Sequence, residues 1–140
     1  MKTLLIGTLF LFIMIGCNKQ KLNSKKLNGE WTIISYSITN NEGLTTKSSN
    51  CQGSINFQLD SNRFDFNLIY SFGGITDTSI AYGSYQVEEN GSDILFSNSV
   101  GLNLTSSGKY RILTINASDL QIEGGDSLGN VNTYLFSKKQ

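Results

Sequence analysis

Along most of this chain apolar and polar residues alternate one by one. From Ser54 to Leu59, Ile55, Phe57 and Leu59 point one way, and Ser54, Asn56 and Gln58 the other. After the short polar break Asp60-Ser61-Asn62 the pattern repeats, with Phe64, Phe66, Leu68 and Tyr70 opposed to Arg63, Asp65, Asn67 and Ile69. A period of two sends successive side chains to opposite faces of a strand, so these segments predict a hairpin with one apolar face. Further strands are predicted over 30–39, 79–88, 93–97, 109–115, 120–123 and 131–138, with 99–107 either extending the fifth strand or forming a loop. Turn-forming residues separate them: Asn40-Asn41-Glu42-Gly43 opening a polar loop to Asn50, Gly73-Gly74, Glu89-Asn90-Gly91-Ser92, Asn116-Ala117-Ser118-Asp119 and 124–130. Gly83, Tyr85 and Val87 share a face, and a Gly inside a strand predicts the sharp coiling of a small barrel.

Helical templates fail, because apolar residues recur at two and not at three or four. Eight strands in simple succession predict an all-β fold over residues 27–140, an antiparallel up-and-down β-barrel. A two-sheet β-sandwich is the structural rival. Asn56, Gln58, Arg63, Asp65 and Asn67 furnish the second face of the best hairpin, whereas a membrane-embedded barrel needs an apolar outer band.

The N-terminus has a different pattern. Met1-Lys2-Thr3 precedes a twelve-residue apolar run, Leu4 to Ile15. That run has the length of a signal-peptide core and falls short of the roughly 20 residues of a spanning helix. It closes with Met14-Ile15-Gly16-Cys17, which resembles the lipobox of bacterial lipoproteins. The resemblance implies a signal peptide over 1–17, cleavage after Gly16, and Cys17 as the lipidated first residue carrying a thioether diacylglycerol and palmitate-type acyl chains. Asn18 after the anchor, by resemblance to enterobacterial sorting, points to the outer membrane, with the periplasmic and surface faces both open. Residues 18–26 lack apolar periodicity and predict a flexible polar tether.

The stretch Gly29-Glu30-Trp31 holds the only Trp of the chain and opens the first strand. It resembles the G-x-W signature of lipocalins, and the whole layout resembles the small lipocalin-like domains of Gram-negative surface lipoproteins. The resemblance implies that Trp31 plugs one end of the barrel beneath a basic residue from near the C-terminus, with Arg111, Lys138 and Lys139 as candidates. Gly29 would let the entering chain approach closely.

Charge then narrows the function classes. Eleven basic and eleven acidic residues balance over the whole chain, but Lys2, Lys19, Lys21, Lys25 and Lys26 all precede Leu27. From Leu27 onward six basic face eleven acidic residues, a balance of −5 that disfavours nucleic acid as a partner. His is absent, which removes the commonest general base and metal ligand. Glu88 and Glu89 diverge at the end of a strand, Asp65 and Asp93 sit on polar faces, and Asp126 alone is too little for a calcium site. Cys51 is the only thiol besides Cys17, with no His to activate it, and reads as a small buried hydrophobe. No catalytic set, cofactor or metal site is therefore expected. Ile55, Phe57, Phe64, Phe66, Leu68 and Tyr85 are the candidate lining of an interior ligand cavity. Two functions follow: a lipid-anchored envelope binding protein holding a small apolar or amphipathic ligand, or a non-enzymatic interaction or inhibitor module docking on an envelope protein.

Overall fold

The computed structural model describes residues 18–100 and 108–140. The signal and lipobox reading of residues 1–17, Cys17 included, lies outside the described residues. A helix, α1 (residues 18–27), leads into nine strands: β1 (Gly29–Thr39), β2 (Thr45–Lys47), β3 (Asn50–Gln58), β4 (Arg63–Phe72), β5 (Ile75–Val87), β6 (Asp93–Val100), β7 (Lys109–Ile115), β8 (Asp119–Gly125) and β9 (Val131–Lys138). The strands pair antiparallel in the order β2-β1-β3-β4-β5-β6-β7-β8-β9, and β9 returns to β1. That last pairing closes eight strands into a barrel and removes the sandwich alternative, since a sandwich would leave edges there.

The ninth strand is β2. The first half of β1 pairs with β3, from Gly29↔Phe57 to Thr32↔Ser54, while its second half pairs with β2, from Ser37↔Lys47 to Thr39↔Thr45. All three β2 residues are exposed, so no apolar alternation marks them in the sequence.

Two strands change phase midway. In β1, Ile34 is an extra residue opposite β9, between Ile33↔Phe136 and Ser35↔Leu135. Trp31 and Ile33 point inward before the bulge, Tyr36 and Ile38 after it. Without the slip, Tyr36 and Ile38 would face solvent and serines would line the core. Leu113 does the same in β7, so that Tyr110, Ile112 and Ile115 all reach the interior. Such bulges raise local twist and help a short sheet to close. A third irregularity faces Gly83, between Tyr82↔Val100 and Ser84↔Ser97, where a sharp bend was expected.

Gly53 solves a different problem in β3. A Cβ there would sit 2.0 Å from the Asn67 carbonyl oxygen of β4, so only hydrogen fits where the two backbones close up.

Residues 18–26 correct the tether reading, because they are helical and docked. The helix face toward the barrel is polar, which hides it from any search for an apolar stripe. Asn23 is buried, and its Nδ2 donates to the Gly91 carbonyl at 2.6 Å. Gln20 Nε2 donates to the Val87 carbonyl at 2.7 Å, and Lys19 Nζ to Ser92 Oγ at 2.8 Å. Gly91, with φ +67°, makes the close approach possible: a Cβ there would lie 2.8 Å from the Lys19 carbonyl carbon. Hydrogen bonds to the end of β5 and the turn after it thus supplement the little apolar packing this short helix has.

Candidate functional site

The barrel has two unlike ends. At one, α1 brings the fully buried Leu27 against the fully buried Trp31. Trp31 Nε1 donates to the Leu27 carbonyl at 2.6 Å. Lys138, directly opposite Trp31 in the β1–β9 ladder, holds its Nζ 4.7 Å from the ring centroid. The same ammonium donates to the carbonyls of Lys26 at 2.9 Å and Asn28 at 2.7 Å. Trp31 and Lys138 therefore satisfy carbonyls at the C-terminus of α1, where a positive charge also suits the helix dipole. Of the three basic candidates Lys138 takes the role; Lys139 pairs with Glu30 at 2.9 Å and Arg111 with Glu123 at 3.7 Å. Burial lowers the Lys138 pKa below the ordinary lysine value. Gly29 passes beside this lysine, with Lys138 Cε 3.6 Å from where a Cβ would stand.

Between the ends the interior is aromatic. The six residues singled out from the sequence, Ile55, Phe57, Phe64, Phe66, Leu68 and Tyr85, are all buried and inward. Phe57 and Tyr85 pack edge to face at 4.9 Å. Ile55, Phe64 and Phe66 line a central void together with Phe96, Tyr110, Ile122, Tyr134 and Phe136. Those five partners were not singled out, although Leu120/Ile122 and Tyr134/Phe136 alternate in the sequence as clearly as the first hairpin does. The void measures about 10 Å³, too small for an organic ligand. Among the described residues, side chains fill the centre of this barrel.

At the end away from α1 the aromatic packing reaches solvent. Tyr36 stacks on Tyr134 with centroids 4.7 Å apart and planes 5° from parallel, and meets the edges of Tyr70 at 5.2 Å and Phe72 at 5.5 Å. Tyr70, Phe72, Ile38 and Cys51 are only partly covered. Polar groups rim this cluster. Tyr36 Oη donates to buried Asn132 Oδ1 at 2.8 Å, and Tyr70 Oη to Asp77 Oδ2 at 3.2 Å. The surface is thus apolar with hydrogen-bonding groups at its margin. Deeper in the barrel Tyr85 Oη is buried and has no hydrogen-bond partner among the described residues.

Cys51 and Asp126, two of the groups weighed from the sequence, sit in structural surroundings. Burial pushes the Cys51 thiol above its usual pKa, away from the reactive thiolate. Asp126 is occupied within its own turn: Oδ1 accepts from the Leu128 and Asn130 amides, and Oδ2 from Asn130 Nδ2, all at 2.9 Å. Those bonds, led by the Asn130 side chain, hold its pKa below the usual carboxylate value. Among the described residues no group of three or more Cys, Asp or Glu could hold a metal ion.

The tyrosines give this interior a pH signature. Burial raises Tyr36 to about 12 and also raises Tyr70, Tyr85, Tyr110 and Tyr134 above the ordinary phenol value. A group whose pKa is raised on folding stabilises the fold fully below its unfolded pKa and loses that contribution as pH rises through the folded value. The barrel is therefore expected to hold its stability up to about pH 10 and to lose it steeply above, tyrosinate absorbance appearing together with unfolding. Tyrosinate forming fully at pH 10 with native circular dichroism intact would contradict the packed tyrosine interior.

Known proteins place these observations. A family model described as lipocalin-like domain matches residues 27–122. No curated protein matches the chain. Among solved structures, the chain is similar to bovine odorant-binding protein in complex with a selenium-containing odorant, at 16% identity and a TM-score of 0.47, over 82% of this chain and 74% of that one. A redesigned β-barrel is similar at 17% identity and TM-score 0.46, over 84% of this chain and 95% of that one. Aphrodisin, a sex pheromone from female hamster, is similar at 12% identity and TM-score 0.43, over 81% and 75% of the two chains.

Proposed function

The chain belongs to the lipocalin-like domain family, and from that premise we propose that it is a lipid-anchored, non-enzymatic binding protein of the cell envelope, taking a small apolar or amphipathic ligand at the end of the barrel away from α1. One observation carries the ligand reading: the aromatic interior is sealed by Trp31 and Lys138 at one end and reaches solvent through Tyr36, Tyr70 and Phe72 at the other. An entering molecule would meet flat apolar faces first and find hydrogen bonds at Asn132, Asp77 and the tyrosine hydroxyls. Because the void is only about 10 Å³, such a ligand must sit at this mouth or displace aromatic side chains to go deeper. Stacking on a displaced Tyr contributes little more than it costs, so modest affinity is expected.

The filled interior also favours a second reading. A solid barrel needs no ligand and serves as a scaffold whose loops dock on an envelope protein.

The lipid anchor rests on the sequence of residues 14–17. Its test is metabolic labelling with a fatty acid. Wild type should incorporate label and fractionate with membranes, preferentially the outer one, and Cys17→Ser should do neither. For the ligand, the soluble domain is titrated with apolar fluorescent probes while its melting temperature is followed. A molecule that binds only the folded state raises that temperature by mass action, by about 2.7 kcal/mol of stability at a hundred times its Kd. No saturable shift with any probe, alongside stoichiometric recovery of one envelope protein, would establish the scaffold reading instead.

A further inference from the structure

α1 crosses the plugged end of the barrel from one wall to the opposite one. Its first residues are fixed to the β5–β6 turn, through Lys19 to Ser92 and Asn23 to Gly91, and its last to β1 and β9, through Leu27, Trp31 and Lys138. In the closed ring, two strands, β3 and β4, lie between β1 and β5 on one side, and four, β6 to β9, on the other. Ten helical residues span about 15 Å, enough to bridge such a barrel. Gln20, Asn23 and Leu27 face the barrel, so the opposite side of the helix points away along the axis. That outward side presents Lys21, Leu22 and Lys25, with Leu22 53% exposed between the two lysines.

We infer that the outward side of α1 is a seat on the anionic lipid surface, which holds the barrel plug-down on the bilayer with the Tyr36–Tyr70–Phe72 end turned away from it. The inference rests on the reading of Cys17 as the lipid anchor. Residue 18, the first described residue of the docked helix, adjoins Cys17, about 4 Å along the chain, so the acyl chains would be attached where the helix begins. An apolar side chain flanked by lysines is the pattern of an interfacial helix, whose ammonium groups meet phosphates while the Leu enters the acyl boundary. Charge favours this end over the rest of the domain, whose balance from Leu27 onward is −5. Several acidic side chains nearby are already paired: Glu88 and Asp93 with Lys109 at 2.6 and 3.4 Å, and Glu30 with Lys139 at 2.9 Å. The lysines of α1 thus face the bilayer with less opposition than the net charge implies. A flexible tether would leave orientation free, whereas a helix docked by hydrogen bonds at both of its ends transmits the anchor's position to the barrel.

The test uses the acylated full-length protein on vesicles of phosphatidylethanolamine and phosphatidylglycerol containing a lipid with a headgroup nitroxide quencher. Trp31, the single Trp, reports the plugged end. Trp31→Phe combined with Leu128→Trp reports the other end, and a fluorophore attached to Leu128→Cys in a Cys51→Ser background replaces it if that variant does not fold. Trp31 emission is expected to be quenched several-fold more than the probe at position 128. Lys21→Glu with Lys25→Glu should abolish the difference while leaving the protein on the vesicles, as should replacing phosphatidylglycerol by phosphatidylcholine. Equal quenching at both ends of vesicle-bound protein, or no effect of the double charge reversal, overturns the orientation and leaves the anchor standing. A folded wild-type protein that carries no acyl label and stays in the supernatant overturns both.

Discussion

Trp31→Ala is expected to cost about 3–5 kcal/mol, the range for deleting a large buried aromatic, and to take the docking of α1 with it. The side chain is fully buried and its Nε1–H is the partner of the Leu27 carbonyl. Removing it leaves that helix-terminal carbonyl unpaired and strands the Lys138 ammonium, already partly desolvated, above a void. The cation–π contact contributes about 0.5–2 kcal/mol of the total. Trp31→Phe separates the two effects, since it keeps most of the plug and loses only the hydrogen bond and part of the ring. A loss of about 1–2 kcal/mol is expected for it. Chemical denaturation of the three proteins, read by far-ultraviolet circular dichroism, decides the matter, and amide exchange along α1 shows whether the helix is released. A Trp31→Ala protein as stable as wild type, with α1 still protected, would sink the plug.

Much of this barrel is written in a period of two. Phe64, Phe66 and Leu68 against Ile55 and Phe57 needed only alternation to be placed inside, and all five are buried. Gly29-Glu30-Trp31 marked the plugged end, and the choice among Arg111, Lys138 and Lys139 fell to register: Lys138 is the residue directly across from Trp31. Other features left no such mark. The bulges at Ile34 and Leu113 shift the phase of their strands, which reads in the sequence as broken alternation. The Thr45–Lys47 strand has backbone pairing but nothing to bury. α1 was hidden because Gln20 and Asn23 hold it through hydrogen bonds, so its inner face looks as polar as its outer one.

The interior volume was the least legible quantity of all. Ala81, Gly83 and Ser84 furnish one wall thinly, and that wall taken alone reads as the side of a hollow. Beside it stands Phe96 on β6, and around the ring Tyr110 on β7 and Tyr134 and Phe136 on β9, so large residues on other strands fill what small ones leave. Summed packing across a closed ring depends on every strand at once, whereas alternation is a property of each strand alone.

Tyr134→Ala should open the space that the native packing denies. Tyr134 lines the central void and touches four other rings: Tyr36 at 4.7 Å, Phe66 at 5.9 Å, Tyr110 at 6.1 Å and Phe136 at 6.2 Å. Truncating it should cost about 3–5 kcal/mol, through lost transfer energy and a cavity that rigid neighbours cannot collapse. The native void of about 10 Å³ should grow to the order of 100 Å³, large enough for a benzene-sized molecule in a dry, aromatic-walled site. Adding such a probe should restore part of the lost stability in the variant and do little for the wild type, whose central void is only about 10 Å³. A wild-type protein stabilised as much as the variant would mean that its aromatic side chains part readily for a guest, placing the ligand site in the barrel's depth. A loss below about 1 kcal/mol would contradict the packed interior itself, because a side chain this buried cannot be removed cheaply from a filled core.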